Sequence, residues 1–509
     1  MLLTTLVLLL AFAGLLYLYL IWNFGYWKKR GVKEAKAHVM VGSYPSAFNQ
    51  KRHMVYDLDD IYRKYKKDEN FVGIFSSRTP QILVTCPELA RKVIVTDFKH
   101  FHDNEASQMV DKNSDLILAS NPFTLTGSAW KETRAEITPA LSNSRIKAVY
   151  PITMKVCHKL SSYLREQIRV PPKEGINAKD ICFRFTSEIV SDCVLGIQAE
   201  CFSQEPSPIM GMIKKIFDQS FIVILYQILL GLAPWIRHIY KFRFVPKYIE
   251  EYFVDLVQKA IDLRRGGDQQ LRERNDFLNY MLQLQDKKNL ATMHIAAHTM
   301  TFLLDGFETT ASVIAHCLLL LARNQEKLQK LYEEIAAHWD DKGELDFDTL
   351  NDLPYLDACI HESIRIFPPG LFSNKLCTEP IEFTNKNGNI LKVKQGQVVI
   401  VPMGSFMFDA DYYPNPQEFQ PERFLEEQDG LKGYREKGLY YGFGDGPRIC
   451  LGMRFGLSQS KAAVVEIVKN FHVKVNPKTR KDNRLDPVYF LARLEGGVWL
   501  DFEARSDIS

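Results

Sequence analysis

A glycine-rich segment with a single cysteine contains the residues of this chain that are best suited to bind a ligand or to catalyse a reaction. It reads YYGFGDGPRICLGMRFG and runs from Tyr440 to Gly456. Glycine-rich turns that lead into a helix bind phosphate in nucleotide-binding proteins. A cysteine at the start of a helix is often a nucleophile or a metal ligand. The segment therefore predicts one of three functions: phosphate binding, nucleophilic catalysis or metal ligation.

The phosphate and nucleophile interpretations fail on the neighbouring residues. Pro447 stands where a dinucleotide fingerprint needs its third glycine, and no Gly-Lys-Ser/Thr sequence closes a P-loop. No histidine lies near Cys450 in the sequence to act as its base. A thiolate ligand remains, because a helix is predicted after Cys450 and its N-terminal N–H groups stabilise a negative sulfur. Glycines 444, 446 and 452 leave room for a flat partner, and a haem iron accepts one such cysteine.

The residues around Cys450 resemble the haem-binding loop of the cytochrome P-450 haem-thiolate monooxygenases. The matching pattern is F-x-x-G-x-R-x-C-x-G, from Phe443 to Gly452. Other segments resemble family signatures in the family's order: AWKETR from 129, LLDGFETT from 303, HESIR from 361 and PNPQEFQPERF from 414. The resemblance covers the chain from residue 35 onward. The segment FLLDGFETT is most similar to the sequences of insect microsomal members that clear foreign compounds.

The resemblance implies a role for each matched residue. Cys450 would be the axial ligand of the iron of haem b, in a loop shaped by Phe443, Gly444 and Gly452. The side chains implied to hold the haem propionates are Trp130, Arg134, Lys375 and Arg448. Lys375 stands where the family usually has an arginine, so it offers a point charge in place of a planar fork.

Two charged residues of the HESIR segment have a structural role in the family. Glu362 and Arg365 lie three residues apart on one predicted helix face, and alone they would form an exposed pair worth ~0.3 kcal/mol. The resemblance implies instead a buried network that also contains Arg423 and braces the cysteine loop. We favour the network.

The LLDGFETT segment lies in an apolar stretch that predicts a helix of about 30 residues, far longer than average. Glu308 and Thr309 are polar groups in this helix, an expensive placement unless they are used. The resemblance implies that Thr309 takes part in oxygen activation and that Glu308 supplies protons to it. The structural alternative is a threonine that bonds its own i−4 carbonyl and a glutamate held in a salt bridge.

Asp305 departs from the family pattern, which usually has alanine or glycine before Gly306. Residues 305, 308 and 309 share one helix face, so the carboxylate approaches the expected haem pocket. Three roles fit it: selection of a basic substrate group, a place in the proton relay, or pairing with a local cation away from the pocket. We expect the last.

The first 27 residues predict a membrane anchor. They contain no charged residue, and Leu2 to Trp22 is almost wholly apolar, enough to span a bilayer core as a helix. An aromatic rim ends at Trp27, and the basic run at 28–30 places the bulk of the chain in the cytosol. Resemblance to microsomal members implies the endoplasmic reticulum membrane. A cleaved signal peptide is the alternative, because Ala11-Phe12-Ala13 is similar to a cleavage site, but the positive n-region is missing.

A second apolar segment, residues 221–236, has two interpretations. It is interrupted by Gln227, Gly231 and Pro234 and is too short to span a bilayer comfortably. It is either a surface segment that dips into the membrane interface or a buried helix of the core.

Helical periodicity dominates the chain from Trp130 to Ile366, and short strand patterns flank it. The strand patterns are a hairpin over 71–86 that turns at 78–80, and later strands that turn at Gly396 and at Gly496-Gly497. We predict a mainly α protein with small peripheral β-sheets, the cytochrome P-450 fold, as a single large haem domain plus an N-terminal transmembrane helix. The expected boundaries are 1–27 for the anchor, 28–50 for a linker and 51–509 for the catalytic domain.

The resemblance implies a monooxygenase that inserts one atom of dioxygen into a lipophilic small molecule, either a foreign compound or an endogenous lipid or hormone. Electrons would come from NADPH through NADPH-cytochrome reductase, a flavoprotein, with a cytochrome b-type protein as a further donor. Exposed basic residues are expected to form the docking face, namely Lys131, Arg435, Lys437 and Arg454. Nucleic acid is not an expected partner, because the net charge is only +3 and no binding motif occurs.

Two other functions stay open for a haem-thiolate protein. One is an isomerase or dehydratase that rearranges peroxides without dioxygen, although such members tend to lose the pair seen here as Glu308-Thr309. The other is a haem-binding sensor or carrier without catalysis. The lone histidines His294, His298 and His316 are expected to be core or surface residues, because Cys450 is available as the ligand.

Overall fold

The computed structural model describes residues 2–205, 207–217, 221–240, 242–266, 269–341, 343–426 and 430–505. Its α-helices in chain order are α1 (Leu2–Ile21), α2 (Pro45–Asn49), α3 (Val55–Tyr65), α4 (Pro87–Arg91), α5 (Leu116–Ala119), α6 (Gly127–Ile137), α7 (Asn143–Arg169), α8 (Ala178–Leu195), α9 (Pro208–Phe217), α10 (Phe221–Leu232), α11 (Ile236–Ile239), α12 (Lys247–Arg265), α13 (Gln269–Glu273), α14 (Phe277–Lys288), α15 (Thr292–Arg323), α16 (Gln325–Ala336), α17 (Phe347–Asp352), α18 (Pro354–Ile366), α19 (Met403–Met407), α20 (Gly430–Glu436) and α21 (Met453–Asn470).

The strands are short and form three sheets. They are β1 (Phe71–Ser76), β2 (Thr79–Val84), β3 (Asp103–Asn104), β4 (Ile176–Asn177), β5 (Ser373–Leu376), β6 (Ile381–Thr384), β7 (Ile390–Val393), β8 (Val398–Val401), β9 (Phe471–Val475) and β10 (Trp499–Ala504). The sheet orders are β1-β2-β8-β5-β3, β4-β10-β9 and β6-β7. Only the pairing of β2 with β8 is parallel among the described strands. The predicted mainly α fold with small sheets is confirmed.

Helix α15 is the centre of the domain. It is 32 residues long, as the sequence predicts, and it packs against α8, α18 and α21. Its last three turns, from Ala311 to Ala322, are buried on every side. A helix that is apolar all round belongs in a core, which is why this segment lies inside the domain although it is long enough to cross a membrane.

The predicted hairpin over 71–86 is confirmed, with its turn one step earlier than expected. Thr79 and Pro80 pair with Ser76 and Phe75, so the turn is at 77–78. Ser77 supplies the left-handed conformation that the tight turn needs, with φ 51°.

The late strands differ from the prediction in their pairing. Strands β7 and β8 flank Gly396 as expected, but β7 pairs with β6 whereas β8 lies between β2 and β5. At Gly496-Gly497 only the following segment is a regular strand, and the preceding one makes a single bridge, Leu485 with Leu494. Strand propensity is local, but the choice of partner is set by the whole domain.

Helix α1 extends from the domain with none of its side chains buried, and it is long and apolar enough to cross a membrane. The Tyr19 hydroxyl donates to the Leu232 carbonyl at 3.0 Å, so the end of α1 meets the end of α10. Trp27, expected at a membrane rim, is instead fully buried, and its indole N–H donates to the Ile74 carbonyl at 3.1 Å. Gly73 makes this possible, because a Cβ there would overlap the Trp27 ring. The Ala35 amide also donates to the Gly73 carbonyl at 2.9 Å, so the expected linker 28–50 packs on β1.

The second apolar segment lies at the surface. Its exposed apolar side chains on α10, α11 and the turn between them are Ile222, Leu225, Leu229, Trp235 and Ile239. The buried-core interpretation of residues 221–236 is therefore wrong for the described residues. The surface interpretation agrees with the contact between this segment and α1.

Candidate active site

The cysteine loop is held in shape by its own backbone. The Cys450 amide donates to the Phe443 carbonyl at 2.9 Å, which closes the loop, and a 3₁₀ turn covers Gly446–Arg448. Helix α21 begins at Met453 with Gly452 as its N-cap residue, so Cys450 lies just before the helix as predicted. The loop therefore presents the sulfur from a fixed position at a helix N-terminus.

The glycines of this loop have different roles. A Cβ at Gly444 or Gly452 would meet no atom within 4 Å, so both border open space. A Cβ at Gly446 would lie 2.3 Å from the Ile94 carbonyl oxygen, and its φ is 65°. The expectation that Gly446 makes room for a flat partner is wrong, because its close contact is with the protein backbone.

Cys450 is the one cysteine of the nine that is exposed, and seven of the others are buried. The exposure is to space inside the protein, since burial raises the pKa of the Cys450 thiol to about 11. The Gly452 N–H and the charge of Arg134 act in the opposite direction. The helix N-terminus alone does not lower the pKa of this thiol, and a metal cation at the sulfur would supply the missing positive charge.

Three cations and an indole ring lie close to the cysteine loop. An Arg134 Nη donates to the Ile449 carbonyl at 2.7 Å, and the Arg448 guanidinium lies 4.5 Å from the centre of the Trp130 ring. Lys375 is buried and donates from Nζ to Asn104 Oδ1 at 2.9 Å. All four residues predicted to hold propionates are therefore on this side of the domain.

The positive charge of this cluster is only partly compensated. Burial and the nearby Arg448 lower the pKa of Lys375 to about 7. The Arg448 guanidinium contacts Asp103 at 3.4 Å, and its other donors bond the main-chain carbonyls of His102, Pro122 and Leu125. The charge of Asp103 acts in the opposite direction but does not restore the ordinary pKa of Lys375. The cluster fits a ligand that carries carboxylates.

Thr309 bonds its own i−4 carbonyl and Glu308 lies in a salt bridge, which are the contacts of the structural alternative given above. The Thr309 hydroxyl donates to the Asp305 carbonyl at 2.7 Å, and the oxygen itself is exposed to the interior space. Glu308 is buried and pairs with Lys179 Nζ at 2.8 Å, while the Tyr489 hydroxyl donates to it at 2.7 Å. Neither partner of Glu308 was predicted, because Lys179 and Tyr489 are distant in sequence and carry no motif.

The expectation for Asp305 is wrong in the described part of the chain. No described residue forms an ion pair with this carboxylate, and its recorded side-chain partner is Asn121, whose amide donates to Oδ2 at 3.3 Å. Asp305 is exposed, although the rest of its helix turn is largely buried. The side chain therefore faces the interior space, and the part of the chain that the structure describes places no cation on it.

The three residues of the predicted network are in contact and buried. The Arg365 guanidinium donates to both carboxylate oxygens of Glu362, at 2.7 and 2.8 Å, and Arg423 Nε lies 3.4 Å from Oε1. Arg365 also bonds the Met407 carbonyl at 2.9 Å, which ties α18 to α19. The exposed-pair alternative is thus not what the structure shows.

The histidines on α15 have protein partners. His298 Nε2 lies 2.7 Å from His294 Nε2, and His294 lies 3.2 Å from a Glu136 carboxylate oxygen. His316 is buried and stacks on Phe367, with ring centres 4.2 Å apart. They are core and surface residues in this structure, as the sequence predicts.

The comparisons with known proteins agree with this geometry. The family model described as Cytochrome P450 matches residues 33–498. The chain belongs to the cytochrome P450 family. "Probable cytochrome P450 28d1" and "Probable cytochrome P450 28a5" of Drosophila melanogaster are each 52% identical to this P450, over 99% of its chain and 99% and 100% of theirs. "Cytochrome P450 6j1" of Blattella germanica is 28% identical over 96% of this chain and 95% of that protein.

Membership confirms the resemblance and what it implies at the level of the family. This P450 is a haem-thiolate monooxygenase of the insect type, with haem b as its cofactor and NADPH as the family's source of electrons. The residues present fit the haem, because an exposed thiol, open space beside Gly444 and Gly452 and an under-compensated cationic cluster lie together. Asp103 and Asn104 complete the cluster, and no sequence signal distinguishes them.

Proposed function

We propose that this P450 inserts one oxygen atom from dioxygen into lipophilic small molecules, with a role in clearing foreign compounds. Electrons come from NADPH through NADPH-cytochrome reductase, and a cytochrome b-type protein is a further donor. The observation that carries the proposal is Cys450, the one exposed cysteine, in the interior space that Asp305 and Thr309 also face.

The chain's own residues bind and orient the cofactor in this proposal. Cys450 would ligate the iron, and Phe443, Gly444 and Gly452 shape the loop that carries this cysteine. Trp130, Arg134, Lys375 and Arg448 hold the two propionates, which supply the negative charge that this cluster lacks. When bound, the haem supplies an iron that activates dioxygen, with electron density from the thiolate.

Thr309 and Glu308 take part in proton delivery in this proposal. The Thr309 hydroxyl commits its proton to the Asp305 carbonyl, so its oxygen is oriented to accept a hydrogen bond from the interior space. Glu308, Lys179 and Tyr489 share a buried cluster in which burial lowers the pKa of Lys179. A cluster of this kind can hold a proton close to Thr309 and release it at little cost.

Thr309→Val is expected to lower product formation per NADPH by about 10²-fold, because the isosteric side chain cannot orient a proton donor. Substrate affinity is expected to stay within about twofold, because the shape of the side chain is kept. Thr299→Val is the matched control, since Thr299 is on the same helix and its hydroxyl also bonds an i−4 carbonyl, at 2.8 Å, but in the core. Equal coupling of NADPH to product in the two variants would remove Thr309 from the mechanism.

The membrane and the reductase have separate surfaces in this proposal. Helix α1 anchors the chain in the endoplasmic reticulum membrane, with the domain in the cytosol and the exposed apolar residues of α10 and α11 in the interface. Lys131, Lys437 and Arg454 are exposed and form the docking face for the reductase. Arg435, expected in this face, pairs with Asp445 at 3.1 Å and so supports the cysteine loop.

Reconstitution of the full chain with NADPH-cytochrome reductase in lipid vesicles tests the proposal. NADPH-dependent uptake of ¹⁸O₂ and one labelled atom in the product are expected for a panel of terpenoids, steroids, fatty acids and insecticides. Turnover of a hydroperoxide without NADPH would identify an isomerase. A haem-thiolate spectrum without any turnover would identify a carrier.

A further inference from the structure

Asp305 is an unusual group for the middle of an apolar helix. Leu303, Leu304 and Phe307 around it are buried, while its own side chain is exposed to the interior space. The main-chain carbonyl of Asp305 receives the Thr309 hydroxyl at 2.7 Å, so the carboxylate is one turn before the residue proposed to act on oxygen. It therefore faces the same interior space as Cys450, whose thiol pKa is raised further by the Asp305 charge.

The Asp305 carboxylate is also poorly satisfied. Its recorded side-chain hydrogen bond, from Asn121, is long at 3.3 Å, and none of the described residues gives it an ion pair. Burial raises its pKa to about 6, against the opposing effect of Asn121. At neutral pH the group is thus mostly ionised in an environment that disfavours an unpaired charge.

Two other carboxylates near the site have cationic partners, whereas none of the described residues gives one to Asp305. Glu308 pairs with Lys179, and Asp103 contacts Arg448. The proton-supply role is therefore filled by Glu308 and its partners, whereas Asp305 has a charge with no counterpart in the described protein. The adjacent helix α5, which contacts α15, has the sequence LILA and adds only apolar side chains.

We propose that Asp305 is an anionic anchor for substrates, and that this P450 accepts lipophilic amines that are cationic at neutral pH. The inference rests on the proposed monooxygenase function and names a substrate class for the same site. The ammonium group pairs with the Asp305 carboxylate and the apolar remainder fills the interior space. An ion pair formed away from water also fixes orientation, so the anchor selects which carbon is presented for oxidation.

A matched pair of ligands tests the anchor on the haem-loaded full chain. The cation is phenylbutyl-trimethylammonium, which has no lone pair and cannot ligate iron, and the neutral ligand is its isostere with carbon in place of nitrogen. Dissociation constants come from equilibrium dialysis and from the change in haem absorbance on binding. Wild type is expected to bind the cation at least ~10-fold more tightly than the isostere.

Asp305→Asn is expected to weaken binding of the cation by about 10- to 100-fold and to leave the neutral isostere within about twofold. Asp305→Glu retains the charge and is expected to retain the preference. Asp255→Asn, which removes an equal charge from the exposed surface of α12, is expected to change neither dissociation constant.

Three outcomes would overturn the anchor. The first is a wild-type protein that binds the cation and the neutral isostere equally well. This result needs no variant, so it decides the question even if the Asp305→Asn protein fails to load haem. An unchanged preference in a haem-loaded Asp305→Asn protein does so directly. Lower turnover of both ligands with unchanged dissociation constants would make Asp305 a proton-relay residue instead. Loss of the thiolate spectrum in wild type would reject the proposed function, which is a different failure.

Discussion

Replacing Arg365 with alanine is expected to lower the free energy of unfolding by about 3–5 kcal/mol, because it leaves the Glu362 carboxylate buried without its bidentate partner. Both side chains are fully buried, and the pair also holds Arg423 and the Met407 carbonyl. The measurement is urea unfolding of the detergent-solubilised full chain, followed by tryptophan fluorescence. The haem-loaded fraction is expected to fall in parallel, because α18 is linked to the cysteine loop through the bond from His361 to Tyr440.

Two further variants test whether the planar guanidinium of Arg365 matters beyond its charge, and whether loss of an exposed ion pair has any comparable effect. Arg365→Lys keeps the positive charge but has no planar fork, so an intermediate loss of stability is expected. Lys259→Ala removes one partner of an exposed i,i+4 pair with Asp255 and is expected to leave unfolding unchanged. If Arg365→Ala and Lys259→Ala unfold alike, the network is not a support of the fold.

The sequence predicts those parts of the site whose signal is local. Cys450 is identifiable because its glycines, its arginine and the following helix are within a few residues of it, and the structure has this arrangement. Helix α15 is predictable from its length and its apolar residues, which is also why its burial is complete around Ala311 to Ala322.

The sequence does not predict the parts of the site that depend on distant segments. The ion pair from Lys179 to Glu308 joins α8 to α15, and Tyr489 reaches the same carboxylate from near the C-terminus. Trp27 has the composition of a membrane rim, yet Gly73 opens a place for it in the core. Among the described residues Asp305 has no cationic partner, and this depends on several distant segments that no single motif encodes.

Cys450→Ser is expected to abolish the spectrum of a haem thiolate, because a serine oxygen does not donate electron density to iron as a thiolate does. Cys359→Ser and Cys377→Ser are matched controls, since both cysteines are buried and neither faces the interior space. Both controls are expected to keep the spectrum at full intensity per haem. Thermal unfolding of all three variants separates a lost ligand from a lost fold.

The carbon monoxide difference spectrum of the reduced protein tests the central claim most directly. The account predicts a Soret band strongly shifted to the red in wild type, Cys359→Ser and Cys377→Ser, and no such band in a folded Cys450→Ser protein. A red-shifted band that persists in Cys450→Ser, or one that is lost in a folded Cys359→Ser or Cys377→Ser protein instead, would contradict it.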